Sequence, residues 1–403
     1  MSEWKKCRLG DLTSLVCSGG TPRTTNSDYY EGGSIPWLNT KEVSFCRINS
    51  TEKCITESGL SSSSAKWVPA NTVVVAMYGA TAGQVAITRI PLTTNQACCN
   101  LVIDEGKANA DFVYYSLVNS YRELSLLANG AAQQNLNAQV IKEFVVQLPD
   151  LPTQRRIAAV LGALDDKIEN NRKICENLEA QAQALFKSWF VDFEPWGGKM
   201  PEGWKKGKLR DIAGYDNRRI AASNLTVETY FSTENMLTDR GGVVAAASIP
   251  QSGEVPLCEE GSVLVSNIRP YFKKIYRATE TAGHSADVLC FEAKDSSWQW
   301  YLYRLLWDDA FFAYVMSGVK GCKMPRGDKE QILDYGCVIP GADNVAEFNA
   351  VVEPMCQRIT HCNKESRALA EMRDALLPQL MSGRLRVDAT ACQGEIDVGK
   401  VEI

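Results

Sequence analysis

The chain has 403 residues, of which 45% are hydrophobic and 23% charged. That is the composition of an ordinary globular protein, long enough for two or three domains. Its net charge of −5 argues against a nucleic-acid binder on bulk charge, so any such role must rest on local features. Fourteen cysteines contain no CxxC pair, and the only histidines are His284 and His361. No cluster of metal ligands is visible, and the cysteines read as reduced, mostly buried thiols. The start, Met-Ser-Glu-Trp-Lys-Lys, does not have the form of a signal peptide. No apolar run approaches the ~18 residues of a membrane span, which points to a cytoplasmic protein.

In chain order, residues 1–150 read as a mixed domain with many short strands. Thr72 to Met77 and Gln84 to Ile87 flank a turn, Gly79-Ala80-Thr81-Ala82-Gly83, and a helix is expected at 111–128. Residues 151–194 read as one long helix. Ile157, Leu161, Leu164, Ile168, Asn171, Cys175, Leu178, Ala182, Leu185 and Trp189 alternate four and three apart, the heptad of a coiled coil. Pro195 with Gly197 and Gly198 stops it. Residues 195–341 read as a second mixed domain, with strands at 262–265 and 288–291 and a helix at 297–316. Residues 342–384 carry a second heptad set in the same register: Phe348, Val352, Met355, Ile359, Cys362, Ser366, Leu369, Arg373, Leu376 and Leu380. Gly383 ends it, and 385–403 read as a flexible tail.

The chain therefore repeats itself. Trp4-Lys5-Lys6-Cys7-Arg8-Leu9-Gly10-Asp11-Leu12 returns 200 residues later as Trp204-Lys205-Lys206-Gly207-Lys208-Leu209-Arg210-Asp211-Ile212. Leu148-Pro149 returns as Ile339-Pro340 at an offset of 191, which also carries Ile168 onto Ile359, Leu178 onto Leu369 and Leu185 onto Leu376. The expected fold is α+β: two mixed α/β domains separated by two long antiparallel coiled-coil helices, an internal pseudo-repeat.

Catalytic signatures are missing. The Gly79–Gly83 turn lacks the following helix and downstream acid of a dinucleotide loop. No P-loop, metal-nuclease motif or hydrolytic triad is visible. Turn, rather than cofactor loop, is the reading for 79–83.

The strongest family resemblance lies in Gln154-Arg155-Arg156-Ile157-Ala158-Ala159-Val160-Leu161, Asp165-Asp166-Lys167-Ile168-Glu169-Asn170-Asn171 and Ala184-Leu185-Phe186-Lys187-Ser188-Trp189-Phe190-Val191-Asp192-Phe193. This stretch resembles the central spacer helix of specificity subunits of type I restriction–modification systems. Pro201-Glu202-Gly203-Trp204 resembles the usual start of their second target-recognition domain. Ser18-Gly19-Gly20-Thr21-Pro22, Ile35-Pro36-Trp37 and Asn95-Gln96 are similar to motifs of one class of recognition domain. Ile268-Arg269-Pro270-Tyr271-Phe272-Lys273-Lys274 and Lys323-Met324-Pro325-Arg326 are similar to another. At the second helix, Asp343-Asn344 departs from the family's usual Gln-Arg start.

The resemblance implies a subunit that reads double-stranded DNA and catalyses nothing itself. Each recognition domain would read half of a split site, and the helices would set the gap. Two modification subunits would bind S-adenosylmethionine and methylate adenine, and motor–nuclease subunits using ATP and Mg would join for restriction. No cofactor is expected on this chain, and no membrane. The helix residues Ile157, Leu161, Leu164, Ile168, Leu178, Leu185, Trp189, Ile359, Leu369 and Leu376 would form the spacer and partner surface.

Base reading favours Arg or Lys for guanine and Asn or Gln for adenine. Under the 191 offset Gln133, Gln134 and Asn135 fall opposite Met324, Pro325 and Arg326. These paired loops, with Lys320 and Lys323 beside Arg326, are the first candidates to face DNA. Asn39, Thr40 and Lys41, and Arg269 with Lys273 and Lys274, come second; Arg269 could equally hold the fold at a strand end. Arg218-Arg219 is better suited to phosphate than to base. The rival functions are a stand-alone or orphan bipartite DNA-binding protein without restriction partners, and a structural clamp between proteins. The loops rich in Arg, Lys, Asn and Gln argue against the clamp.

Overall fold

The computed structural model describes residues 4–128, 136–319 and 324–387, so most of the 385–403 tail lies outside the described residues. The chain divides into two compact units, Met1–Glu169 with Arg367–Ile403, and Asn170–Ser366.

In the first unit, Lys5–Arg8 pairs antiparallel with Val145–Leu148, bringing the two ends of the domain together. A five-stranded sheet runs in the order Thr13–Ser18, Cys98–Ile103, Val73–Ala76, Val85–Thr88, Cys46–Ile48. Its central strands are apolar on both faces because helices cover one side and a smaller sheet lies beyond the other. That smaller sheet has the order Lys53–Ile55, Ile35–Leu38, Leu92–Thr94, Trp67–Val68. The second unit repeats the plan. Lys205–Lys208 pairs with Gly336–Ile339, and one sheet runs Ala213–Tyr215, Val288–Ala293, Val263–Ser266, Ile275–Arg277. Even single bonds recur: Leu9 N–H donates to Phe144 O at 2.9 Å, and Leu209 N–H to Tyr335 O at 2.8 Å.

Two helices of 40 residues, Leu151–Phe190 and Ala342–Met381, contribute to both units. In the first unit Ile157, Ala158 and Leu161 share one core with Leu377, Leu380 and Met381. In the second, Ala182, Phe186 and Phe190 share one with Val345, Phe348 and Val352. All twenty heptad positions named above are buried or half-buried. The second unit shows the antiparallel sense: Asn171 Nδ2 donates to Glu365 at 2.7 Å, and Cys175 Sγ lies 3.7 Å from Ile359 O. Asp150 caps the first helix, accepting from Thr153 N–H at 2.9 Å. The helix ends at Phe190, short of 194, because Phe193 takes a left-handed backbone (φ 55°) and Glu194–Trp196 forms a separate 3-10 turn. Gly383 (φ 70°) closes the second helix in the same left-handed way.

The α+β reading holds, but the two intradomain helices are each broken. Residues 111–128 form Ala110–Asn119 and Tyr121–Ala128; residues 297–316 form a 3-10 turn, Gln299–Trp307 and Asp309–Ser317. At the second break Asp308 leaves the helical region (ψ 147°) and its side chain accepts from Ala310 N–H at 2.8 Å, starting a new helix. Periodicity continues across such a break, so hydrophobic spacing alone does not reveal it.

Candidate nucleic-acid interface

Three loops meet at one edge of the main sheet in each unit, and they correspond one to one. The first is the hairpin turn between the central strands: residues 77–84 join Val73–Ala76 to Val85–Thr88, and residues 267–274 join Val263–Ser266 to Ile275–Arg277. The second precedes the long strand: Met77 N–H donates to Ala97 O at 2.8 Å, and Asn267 N–H to Asp287 O at 2.9 Å. The third is the late loop: Leu136 N–H donates to Met77 O at 3.1 Å, and Gly327 N–H to Asn267 O at 3.4 Å. The Gly79–Gly83 turn thus joins two antiparallel strands and opens no helix.

In the first unit these loops bring Asn39, Thr40 and Lys41 to the hairpin. Thr81 Oγ1 donates to Thr40 O at 3.0 Å, and Tyr78 Oη to Gln96 O at 3.0 Å. Thr21 bonds the Gln96 side chain. Asn39 Oδ1 caps a short 3-10 turn, accepting from Lys41 N–H at 3.2 Å, and its backbone N–H donates to Glu42 at 2.9 Å. The Lys41 ammonium is paired with Glu52, so its charge is partly answered within the domain. Gln133, Gln134 and Asn135 lie outside the described residues; Leu136, the first described residue after them, is the one tied to the hairpin. Sequence reasoning left out Tyr78 and Thr81, which only the hairpin pairing brings beside Thr40 and Gln96.

The second unit carries the cations. Lys320 and Lys323 lie outside the described residues. Arg326 and Arg269 are joined through backbone: Ile268 and Arg326 form a β-bridge, and Arg269 N–H donates to Pro325 O at 2.9 Å. Asp287 Oδ1 accepts a hydrogen bond from Arg326 Nε at 3.2 Å and lies 3.0 Å from Nη2 as an ion pair. Lys273 Nζ lies 2.9 Å from Asp309 Oδ1, which also binds Arg240. Hydrogen bonds from Arg240 and Lys273 hold the Asp309 carboxyl below its ordinary range. Lys274 donates to Thr233 O at 2.6 Å, and burial lowers its pKa. Arg269 is exposed, and among the described residues no hydrogen bond or ion pair engages its side chain.

Two positions of each hairpin turn take the left-handed backbone, and they correspond. In the first unit they are Gly79 (φ 86°) and Gly83 (φ 83°); in the second, Arg269 (φ 49°) and Lys273 (φ 48°). Glycine is at ease there, whereas a side chain costs on the order of 1–2 kcal/mol.

Arg218 is answered by Asp216 at 2.7 Å and Glu259 at 2.7 Å, and Arg219 sits 3.7 Å from Glu254. Both arginines therefore serve contacts inside the unit. Asp216, Cys290 and Glu292 lie close enough to hold a metal, but Arg218 already supplies positive charge to both carboxylates. Among the described residues no helix is long and apolar enough to cross a membrane.

Residues 1–180 match the family model described as the Type I restriction modification DNA specificity domain. The chain is 29% identical to the Type I restriction enzyme MjaIX specificity subunit of Methanocaldococcus jannaschii, over 96% of this chain and 94% of that protein. It is 27% identical to the EcoR124I/EcoR124II specificity subunit of Escherichia coli over 40% of this chain and 41% of that protein. A crystal structure of a type I S subunit from M. genitalium shares the fold, with a TM-score of 0.58 at 17% identity, covering 94% of this chain and 96% of that one. These matches bear out the resemblance drawn from the helix and recognition-domain motifs.

Proposed function

We infer that this chain, a relative of type I specificity subunits along nearly its whole length, is the DNA-recognition subunit of a type I restriction–modification complex. It reads a bipartite site, one half per recognition domain, and directs adenine methylation and restriction carried out by partners. The observation that carries this reading is the duplicated three-loop edge. Each domain presents the same hairpin, pre-strand turn and late loop, with different side chains on each: Tyr78, Thr81 and Gln96 in one, Arg269, Asp287 and Arg326 in the other. One scaffold bearing two different sets of polar side chains is what reading two unlike half-sites requires.

The chain supplies recognition and leaves chemistry to others. Three buried thiols are poor nucleophiles: burial pushes Cys99 up to about 12 and raises Cys98 and Cys290 as well. His284 is buried on a strand with its pKa lowered by burial, and among the described residues no acid or nucleophile hydrogen-bonds its ring. S-adenosylmethionine is assigned to two modification subunits, and ATP and Mg to motor–nuclease subunits. Partners would also supply phosphate neutralisation that a chain of net charge −5 lacks. A cytoplasmic location follows from this role.

The test is reconstitution. The purified chain alone should transfer no methyl group, cut no DNA and hydrolyse no ATP. Adding the modification partner with S-adenosylmethionine should give adenine methylation that neither protein shows alone. Methyl transfer by the isolated chain would refute the reading.

A further inference from the structure

Arg269 and Lys273 occupy the two hairpin positions that the first unit fills with glycine, and both take the left-handed backbone. For Lys273 the domain itself supplies a reason, since its ammonium pairs with Asp309 at the start of the Asp309–Ser317 helix. For Arg269 it does not. What the fold uses of Arg269 is main chain: its N–H donates to Pro325 O, and its C=O accepts from Phe272 N–H, each at 2.9 Å. Glycine would make both bonds. Pro270 follows, which further restricts the preceding residue. A side chain held in a strained conformation, without a contact in its own domain to offset that strain, points to a function outside the domain.

Building on the DNA-recognition reading, we propose that Arg269 grips a phosphate of the DNA backbone beside the half-site read by the second domain. Phosphate rather than base follows from the contrast with Arg326. The Asp287 carboxylate fixes the plane of the Arg326 guanidinium, as in-plane reading of a base edge demands. Among the described residues nothing fixes the plane of Arg269, and a phosphate can be approached from many directions. The β-bridge between Ile268 and Arg326 keeps the two arginines on one edge, so that a backbone grip at Arg269 sets the register for Arg326.

The informative variant is R269G, because glycine suits the backbone this position adopts. Wild type and R269G, each full-length and assembled with the modification partner, are compared on a duplex carrying the mapped methylation site and on a scrambled duplex, across a salt series. Expected is an equal loss of affinity on both duplexes. The slope of log affinity against log salt should fall by about 0.9, making the loss about 3.5 times larger at 50 mM than at 200 mM salt. The thermal midpoint should be unchanged or raised. Unchanged affinity and slope would overturn the proposal while leaving the recognition reading intact. So would a loss confined to one base pair, which would make Arg269 a base reader, or a lowered midpoint, which would make it structural. A wild-type complex that binds neither duplex would overturn the recognition reading and this proposal together.

Discussion

Asp287 Oδ1 accepts a hydrogen bond from Arg326 Nε at 3.2 Å and lies 3.0 Å from its Nη2, so one carboxylate oxygen holds one edge of the guanidinium. Among the described residues no hydrogen bond or ion pair engages Nη1, so the Nη1–Nη2 edge presents a flat pair of donors, the pattern that matches guanine O6 and N7. Arg326→Ala should therefore relax selection at one guanine of the second half-site by about 1–3 kcal/mol, roughly 5- to 150-fold. Asp287→Ala should relax the same position less, because the charge stays while its orientation is lost. Methylation assays on duplexes changed one base pair at a time would show this. A loss spread evenly over all sequences would instead assign Arg326 to the backbone.

The second unit is fastened to the helix pair by a buried charge. Arg304 is fully buried, pairs with Glu179 on the first long helix, and lies 3.1 Å from Cys356 Sγ on the second. Removing one partner of such a pair leaves an uncompensated charge and costs about 3–5 kcal/mol, whereas replacing both with apolar residues is often near neutral. Glu179→Leu alone should thus lower the denaturation midpoint sharply, and adding Arg304→Met should recover most of the loss. Equal instability of the single and double variants would contradict the account.

His284 sets a pH dependence. Burial lowers its pKa, so the folded domain resists protonating it. At neutral pH it is largely uncharged in both states. As pH falls below the unfolded value of about 6.5, the unfolded chain takes up a proton that the folded chain refuses until lower pH, and stability declines over that interval. The hydrogen-bonded Asp309 carboxyl, held low, titrates in a more acid range. The thermal midpoint should fall between about pH 7 and pH 5, and His284→Gln should flatten that fall. A wild-type midpoint constant through this window would count against it.

Much of this was legible in the sequence, for reasons tied to particular residues. The heptad set from Ile157 to Trp189 is dictated by helix geometry, so its positions are buried or half-buried as spacing requires. The Trp4 and Trp204 segments resemble each other because both build the same strand and turn. The hairpin correspondence was not legible. Gly79-Ala80-Thr81-Ala82-Gly83 and Arg269-Pro270-Tyr271-Phe272-Lys273 share no residue, and they align at an offset of 190, not the 200 or 191 of the flanking matches. Backbone conformation unites them, and a shared φ leaves no mark when one copy uses glycine and the other does not. The pairing of Arg304 with Glu179 was hidden because 125 residues separate its partners.

The long helices should act as a ruler. Both are continuous and contribute to both cores. Matched insertions of four residues after Asn171 and after Cys362 lengthen the pair by about 6 Å and rotate it roughly 40° beyond a full turn. One DNA base pair advances about 3.4 Å and turns roughly 35°. The methylated site should keep both halves and gain one or two base pairs in its gap, as sequencing of modified DNA would show. An active complex that retains the original gap would mean the helices do not set it.

The most direct measurement is a map of every methylated adenine in DNA modified by this chain together with its modification partner. The expected result is one motif of two unlike halves separated by a fixed, unread gap. Substitutions at Arg326 should alter one half alone, and substitutions in the first unit's loops, at Tyr78 or Gln96, the other alone. A single contiguous motif, or a loop substitution that changes both halves together, would contradict it.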